Sequence, residues 1–322
     1  MTISKRFIII AALGLGMLVS SCTRKKIGPT STPTSGNLEV YCAESVSPVI
    51  TKLANRFMEL YSKAHITVHA VPSRVAIAKL VNSETNLVVS SRYFTSGELD
   101  AMKKHDIKAD STRVALDGVA VIVNSKNHTK GLNTDQLRNI FDGKTTLWGQ
   151  VNPNFQGRII PALESPNSGT LEFFKDRVLG NENFTAAYPC TTMANVYKFV
   201  SKTRNAIGLI SSNWLNSGQD LVSSREPSPR ALEIAEVDSS MMKHIDPNTF
   251  GSYYYPYQAH IYRHYYPLTR PIFFLTRNLG DGLGAGFLTF AVSASGQQIF
   301  VNDGLVPATM PVRLIQLNNQ PL

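Results

Sequence analysis

The sequence predicts an α/β fold in which strands alternate with helices, giving mostly parallel sheet flanked by helices. Three observations carry this reading. From residue 38 onward, short apolar or alternating runs repeatedly give way to stretches with helical spacing. The first 36 residues are unsuited to a core and leave 286, enough for one large or two medium domains. No internal repeat interrupts the alternation.

Residues 38–42 (Leu-Glu-Val-Tyr-Cys) alternate and form a first strand. Ser47 and Pro48 offer an N-cap and a first helical position, and Ile50, Leu53, Ala54, Phe57, Met58 and Tyr61 then recur at helical spacing. Strands are predicted over 66–71, 87–89 and 113–123, the last interrupted by Asp117-Gly118, with helices over 73–81 and 96–104 between them. Further on, helices over 134–141, 168–179 and 192–202 alternate with strands over 158–163 and 206–210. Two segments break the rhythm. Residues 213–230 are polar and rich in Ser and Pro, and residues 251–267 hold seven of the twelve tyrosines. A strand over 271–275 and helices over 283–292 and 295–302 close the chain.

The first residues predict export. Lys5 and Arg6 precede an uncharged apolar run, residues 7–19, that is too short to span a bilayer but suits a secretory signal. Leu18-Val19-Ser20-Ser21-Cys22 then resembles a bacterial lipobox, with 1–21 removed and Cys22 carrying the lipid. Residues 22–36, basic and then rich in Pro, Ser, Thr and Gly, bury too little surface to order and form a flexible tether. The net charge of +9 misleads, because five of the positive charges (Lys5, Arg6, Arg24, Lys25, Lys26) precede residue 37, leaving +4 on the folded part. That mild excess, without a Lys/Arg stripe, argues against nucleic acid. Cys42 and Cys190 stand far apart in sequence; both a disulfide and two separate buried thiols are open, and the second suits such spacing better.

Several stretches together resemble one family. Asp117-Gly118-Val119-Ala120-Val121-Ile122-Val123-Asn124 resembles the crossover strand of the phosphate-binding proteins that serve ATP-driven phosphate importers. Leu132-Asn133-Thr134-Asp135-Gln136-Leu137, with Gly143-Lys144 and Trp148, is similar to the family's next helix and turn. Ser168-Gly169-Thr170 resembles its anion-binding helix start, and Ala206-Ile207-Gly208-Leu209-Ile210 a later strand. Tyr266-Pro267-Leu268-Thr269-Arg270-Pro271 resembles the return crossover, and 287–290, Ser295 and Gly304-Leu305-Val306-Pro307 the closing elements. The resemblance implies a two-lobed periplasmic-binding-protein fold of the second type, joined by two crossover strands: lobe one at 37–116 and 268–322, lobe two at 117–267. It also implies phosphate or a similar oxyanion as ligand and an ABC-transporter permease as partner. No cofactor and no enzymatic activity are expected, with a monomer held at the envelope membrane only through its lipid and facing the periplasm or exterior.

A tetrahedral anion exchanges its hydration shell for donors at fixed geometry, and helix starts and hydroxyls supply them. Ser168, Gly169 and Thr170, with Asn167 just before, open a predicted helix; taken alone, the triplet equally suits an ordinary helix cap. Ser45 stands where the family's first loop donates, and Ser73 at the next helix start, with Arg74 beside it as a further cation. Ser90, Ser91 and Arg92 end a strand, where ligands of open α/β sheets lie. The family's Gly/Ser-rich turn after the second strand is Pro72-Ser73-Arg74-Val75 here, and two charged positions also depart from its pattern. Its arginine four residues before the triplet serine is Glu164 here, and an aspartate common after the Ser91 position is Arg92. The expectation is that Arg92 supplies the positive charge while Glu164 orients it or accepts an oxyanion's proton. The alternative is that Glu164 points outward and the ligand differs.

Other chemistry finds little support. His260 and His264 have a helical metal spacing, but their stretch reads as irregular and lacks a third ligand. The tyrosines of 251–267 are expected to pack on the surface beside the crossover rather than line the cleft mouth. No Gly-x-Ser-x-Gly, His-Glu-x-x-His, P-loop or dinucleotide fingerprint occurs.

Overall fold

The computed structural model describes residues 31–180, 182–222 and 227–310. The expected signal peptide and lipid-bearing Cys22 lie outside the described residues. Among the described residues no helix is long and apolar enough to cross a membrane.

The chain begins with β1 (Gly36–Ala43), α1 (Ser47–Leu60), β2 (Ala64–Val71), α2 (Ser73–Val81), β3 (Leu87–Ser90), α3 (Ser96–Lys104) and the long β4 (Asp110–Val123). It continues through β5 (Gly131–Asn133), α4 (Thr134–Phe141), β6 (Ile160–Leu163), α5 (Gly169–Phe174), β7 (Tyr188–Pro189), α6 (Met193–Lys202), β8 (Ala206–Ser211) and α7 (Trp214–Ser217). After β9 (Arg230–Ala231), β10 (Glu233–Ala235), β11 (Tyr253–Tyr254) and α8 (Gln258–Tyr262), it returns through β12 (Thr269–Thr276), α9 (Leu283–Val292), α10 (Ala294–Asn302) and β13 (Val306–Pro307).

The main sheet runs in the order β2-β1-β3-β12-β4-β8-β6-β7. On one side β2, β1 and β3 pair in parallel, and on the other β8, β6 and β7 do the same. Between them lie the antiparallel crossovers β4 and β12, which pair from Asp110↔Thr276 to Gly118↔Thr269. Beyond Gly118, β4 leaves β12 and pairs with β8. This single strand therefore belongs to both lobes.

Each lobe has helices on both faces of its sheet. In β4, Val119, Val121 and Val123 enter one lobe-two core with Leu137, Phe141, Trp148 and Phe174, while Ala120 and Ile122 face a second core with Val196, Tyr197 and Trp214. Such a strand is apolar throughout because neither face meets water. Lobe one is built the same way, with Val40, Leu53, Phe57, Phe274 and Phe287 in one core and Ile77, Leu80, Val88 and Leu275 in another.

Several local expectations change. The helix expected over 168–179 is α-helical only to Phe174; it then widens, the Gly180 N–H reaching the Lys175 carbonyl at 2.8 Å, and stops where Gly180 takes φ +61°. His260 lies in a short helix rather than irregular chain, because Ile261 packs fully buried against Gly118. The tether expected to reach residue 36 is already ordered at Ser31, whose hydroxyl accepts from the Leu283 N–H at 3.0 Å. Cys42 and Cys190 are free and buried. No cluster of three metal-ligating side chains occurs among the described residues.

Candidate functional site

The loops after β1, β2 and β6 meet across the interface between the lobes. Glu44, Ser45, Pro72, Ser73, Glu164, Ser165, Ser168, Gly169 and Thr170 enclose a cavity of about 10 Å³. Every one of these residues follows the carboxyl end of a parallel strand, the place where open α/β sheets hold ligands. The cavity suits one compact group of about the size of a water, so a larger ligand enters only if the lobes part.

Hydroxyls dominate the wall. Ser45 is buried and its Oγ has no hydrogen-bond partner. Ser73 opens α2, and its Oγ lies 3.3 Å from that of Ser91, at the end of β3. Gly169 comes from the opposite lobe and closes on both: a Cβ there would sit under 3.0 Å from either hydroxyl, so only glycine permits the approach. Thr170 is buried and accepts from Arg270 Nη1 at 3.2 Å. Ser168 caps α5 by accepting from the Leu171 N–H at 3.1 Å. The cap expected as the plainer reading of that triplet is thus formed by Ser168.

Two carboxyls face the same cavity. Glu164 is buried with Oε1 unpartnered. Burial pushes its pKa up; the Ser168 and Thr170 hydroxyls oppose this, Glu44 adds to it and Arg270 opposes it, leaving it at about 7. Glu44, which the sequence reading overlooked, accepts from the Met193 N–H at 2.9 Å, and burial raises its pKa against that bond. Arg270 is wholly buried and committed to Asp117, Nε and Nη2 both lying 2.9 Å from Oδ2. Asp117 and Arg270 stand opposite each other on the two crossovers. Neither was a site candidate in the sequence; a charged residue inside an otherwise apolar strand was the signal that could have found Asp117.

The remaining expected site residues lie outside the cavity wall. Ser90 Oγ accepts from the Arg92 N–H at 3.2 Å, and Asn167 is exposed, its carbonyl accepting from the Arg74 N–H at 3.3 Å. The expected pairing of Arg92 with Glu164 is not formed. Arg92 instead forks onto Glu98 at 2.7 and 2.8 Å and contacts Glu172 through Nε. Two partners nearer in space outcompete Glu164. Arg74 likewise turns to Glu172, at 2.5 Å.

A family model described as a PBP superfamily domain matches residues 28–295. The chain belongs to the PBP superfamily. Among curated PBP relatives, the phosphate-binding protein PstS of Staphylococcus aureus is 27% identical over 218 residues, 67% of this chain. The chain spans 66% of the length of that relative. Among solved PBP structures, a Clostridium perfringens protein provisionally described as a phosphate ABC transporter substrate-binding protein, with bound phosphate, aligns at TM-score 0.69 and 20% identity, covering 85% of this chain and all of that one. An ABC-type phosphate transport receptor from Vibrio cholerae aligns at TM-score 0.60 and 22% identity, covering 85% and 100%. These structures share the two-lobed PBP fold. Family and relatives are binding proteins, not enzymes.

Proposed function

We propose that this PBP-superfamily chain captures phosphate, or a closely similar oxyanion, between its lobes and delivers it to an ABC-transporter permease. One observation carries the reading: the hydroxyls of Ser45, Ser73 and Thr170, brought from both sides of the cleft, line a compact cavity closed by Gly169, with the Ser91 hydroxyl 3.3 Å from that of Ser73. The relatives named for phosphate point the same way. On this reading lobe one comprises 37–116 and 268–322, lobe two 117–267, and the crossovers are the hinge. Glu164 meets the ligand as a neutral acid that donates, or as a carboxylate that accepts a proton from the oxyanion. On the same reading the chain works as a monomer, and its lipobox-like start supports a lipid anchor at Cys22 in the bacterial envelope, facing away from the cytoplasm.

Two carboxyls on the cavity, with no unpaired cation on its wall, favour a second reading, an envelope sensor that has changed or lost its ligand. A thermal-shift series on the chain lacking residues 1–22 decides between them, using phosphate, arsenate, sulfate, molybdate and small organic phosphates. Phosphate at about 100 times its Kd stabilises the fold by about 2.7 kcal/mol. No shift at millimolar phosphate removes the phosphate reading, and no shift with any oxyanion favours the sensor.

A further inference from the structure

We infer that Glu172 is the latch that holds the cleft shut, each of its carboxylate oxygens gripped by a different arginine of the facing lobe. Glu172 lies on α5 of lobe two, just outside the cavity. Its Oε1 accepts from Arg74 Nε at 3.1 Å and Nη2 at 2.5 Å, and its Oε2 pairs with Arg92 Nε. Arg74 stands in the first turn of α2 and Arg92 just after β3, so both belong to lobe one.

The arginines are not equivalent. Arg92 is held within its own lobe before the lobes meet. Its Nη1 and Nη2 reach Glu98, its Nη1 also donates to the Tyr93 carbonyl at 2.8 Å, and Glu98 completes the capping box that starts α3. This leaves the Nε edge of a preorganised guanidinium facing the cleft, where Glu172 docks without further ordering cost. Arg92 and Glu172 side chains are only 10% and 18% exposed, against 57% for Arg74. Salt therefore screens the Arg74 arm, which makes both hydrogen bonds to Glu172, before it reaches the Arg92 ion pair.

The location fits a latch rather than a ligand contact. Glu172 and Lys175 line two open cavities, about 480 and 550 Å³, on either side of the bridge. The first also includes Glu164 of the closed site, and the second Ser91 and Arg270. Parting Glu172 from the arginines joins the two spaces in front of the site and gives a ligand its way in and out. The cations expected to bind the ligand thus act on its retention. The inference rests on the closing cleft of the proposed function but not on which ligand the cleft takes.

Spin labels on Lys104→Cys in lobe one and Lys198→Cys in lobe two read the lobe separation in the ligand-free chain lacking residues 1–22, whose two remaining native thiols, Cys42 and Cys190, are buried. The parent protein should show mainly the short distance. Glu172→Gln should raise the open population by about tenfold, and Glu172→Gln with Arg74→Gln should open it no further, because both changes cut the same contact. Raising NaCl to about 1 M should open the parent and leave Glu172→Gln unmoved. Distances unchanged in a folded Glu172→Gln, or fully additive opening in the double variant, overturn the latch. If Glu172→Gln does not fold, the salt series on the parent decides, and no opening there overturns it. Phosphate should leave Glu172→Gln about tenfold faster than the parent, with little change in association. Failure of phosphate to bind either protein sinks the phosphate reading and leaves the distance result standing.

Discussion

Glu164 is the residue whose protonation any ligand must accommodate, since its free Oε1 is buried in a wall of hydroxyls beside a second carboxyl. Its folded pKa, about 7, lies above the ordinary 4.5. Between those values the folded chain binds more protons than the unfolded one, so this group lowers stability as pH rises through the window. The loss is complete above about pH 7 and amounts to roughly 3 kcal/mol at most. Glu164→Gln should therefore gain stability over the parent at pH 8 and lose that advantage by pH 4, which paired denaturant titrations measure. An anion in the cavity favours the neutral acid further, so phosphate affinity in the parent should fall as pH rises past 7, while Glu164→Gln flattens that dependence. Calorimetry in two buffers of different ionisation enthalpy reads the proton taken up; phosphate binding to Glu164→Gln with an unchanged pH profile would end the proton role. Ser73, Ser91 and the Ser-Gly-Thr triplet were legible as site candidates because position at a strand or helix end is a local property, whereas Ser45 and Glu164 were reached through the family resemblance. The destination of Arg92 was not legible, because it depends on how the turn before α3 brings Glu98 back onto it and on Glu172, eighty residues on, which reaches it only once the lobes meet.

At the scale of elements, the two crossovers are joined by a buried ion pair at the point where β4 passes from one lobe to the other. Asp117 Oδ1 also accepts from Ser211 Oγ at 2.8 Å and from the Ser212 N–H and Oγ at 3.0 Å. One carboxylate thus ties β4 to β12 and to the end of β8. Removing it strands Arg270 at 1% exposure, and breaking such a pair by deleting one partner costs about 3–5 kcal/mol. Asp117→Ala should lower the denaturant midpoint accordingly, and Thr170 should lose its fixed orientation with Arg270. A midpoint within error of the parent would contradict the account. Gly169→Ala should behave in the opposite way. Its methyl group meets Ser73 and Ser91 only when the cleft is closed, so it should abolish ligand binding while leaving the unfolding midpoint nearly unchanged. Element types were readable here from periodicity, but Asp117-Gly118 does not interrupt β4, which runs unbroken from Asp110 to Val123 and only changes partner there. The shortening of α5 was not, since the wider turn that follows keeps the same apolar face buried and leaves the periodicity almost intact.

For the whole molecule, closure brings together two unlike rims. Glu172 and the arginines form the charged one. The other is buried and neutral at its contact atoms apart from Glu44: Met193 N–H donates to that carboxyl, and Trp214 Nε1 donates to the Ser45 carbonyl at 2.9 Å. Trp214 is 7% exposed and joins lobe two to the loop that carries Ser45, whereas Trp148, the only other tryptophan, is fully buried inside lobe two with its Nε1 bonded to the Asn205 carbonyl. Opening the cleft must hydrate Trp214 and leave Trp148 dry. In Trp148→Phe, emission therefore comes from Trp214 alone and becomes a gauge of closure. Adding Glu172→Gln to that background should move the emission to the red in the ligand-free state, and saturating phosphate should return it to the blue. The same ligand should leave Trp214→Phe, which reports only Trp148, unshifted. Equal shifts from both single-tryptophan proteins would mean that binding repacks lobe two instead of closing the cleft, and the hinge at the crossovers would have to be abandoned.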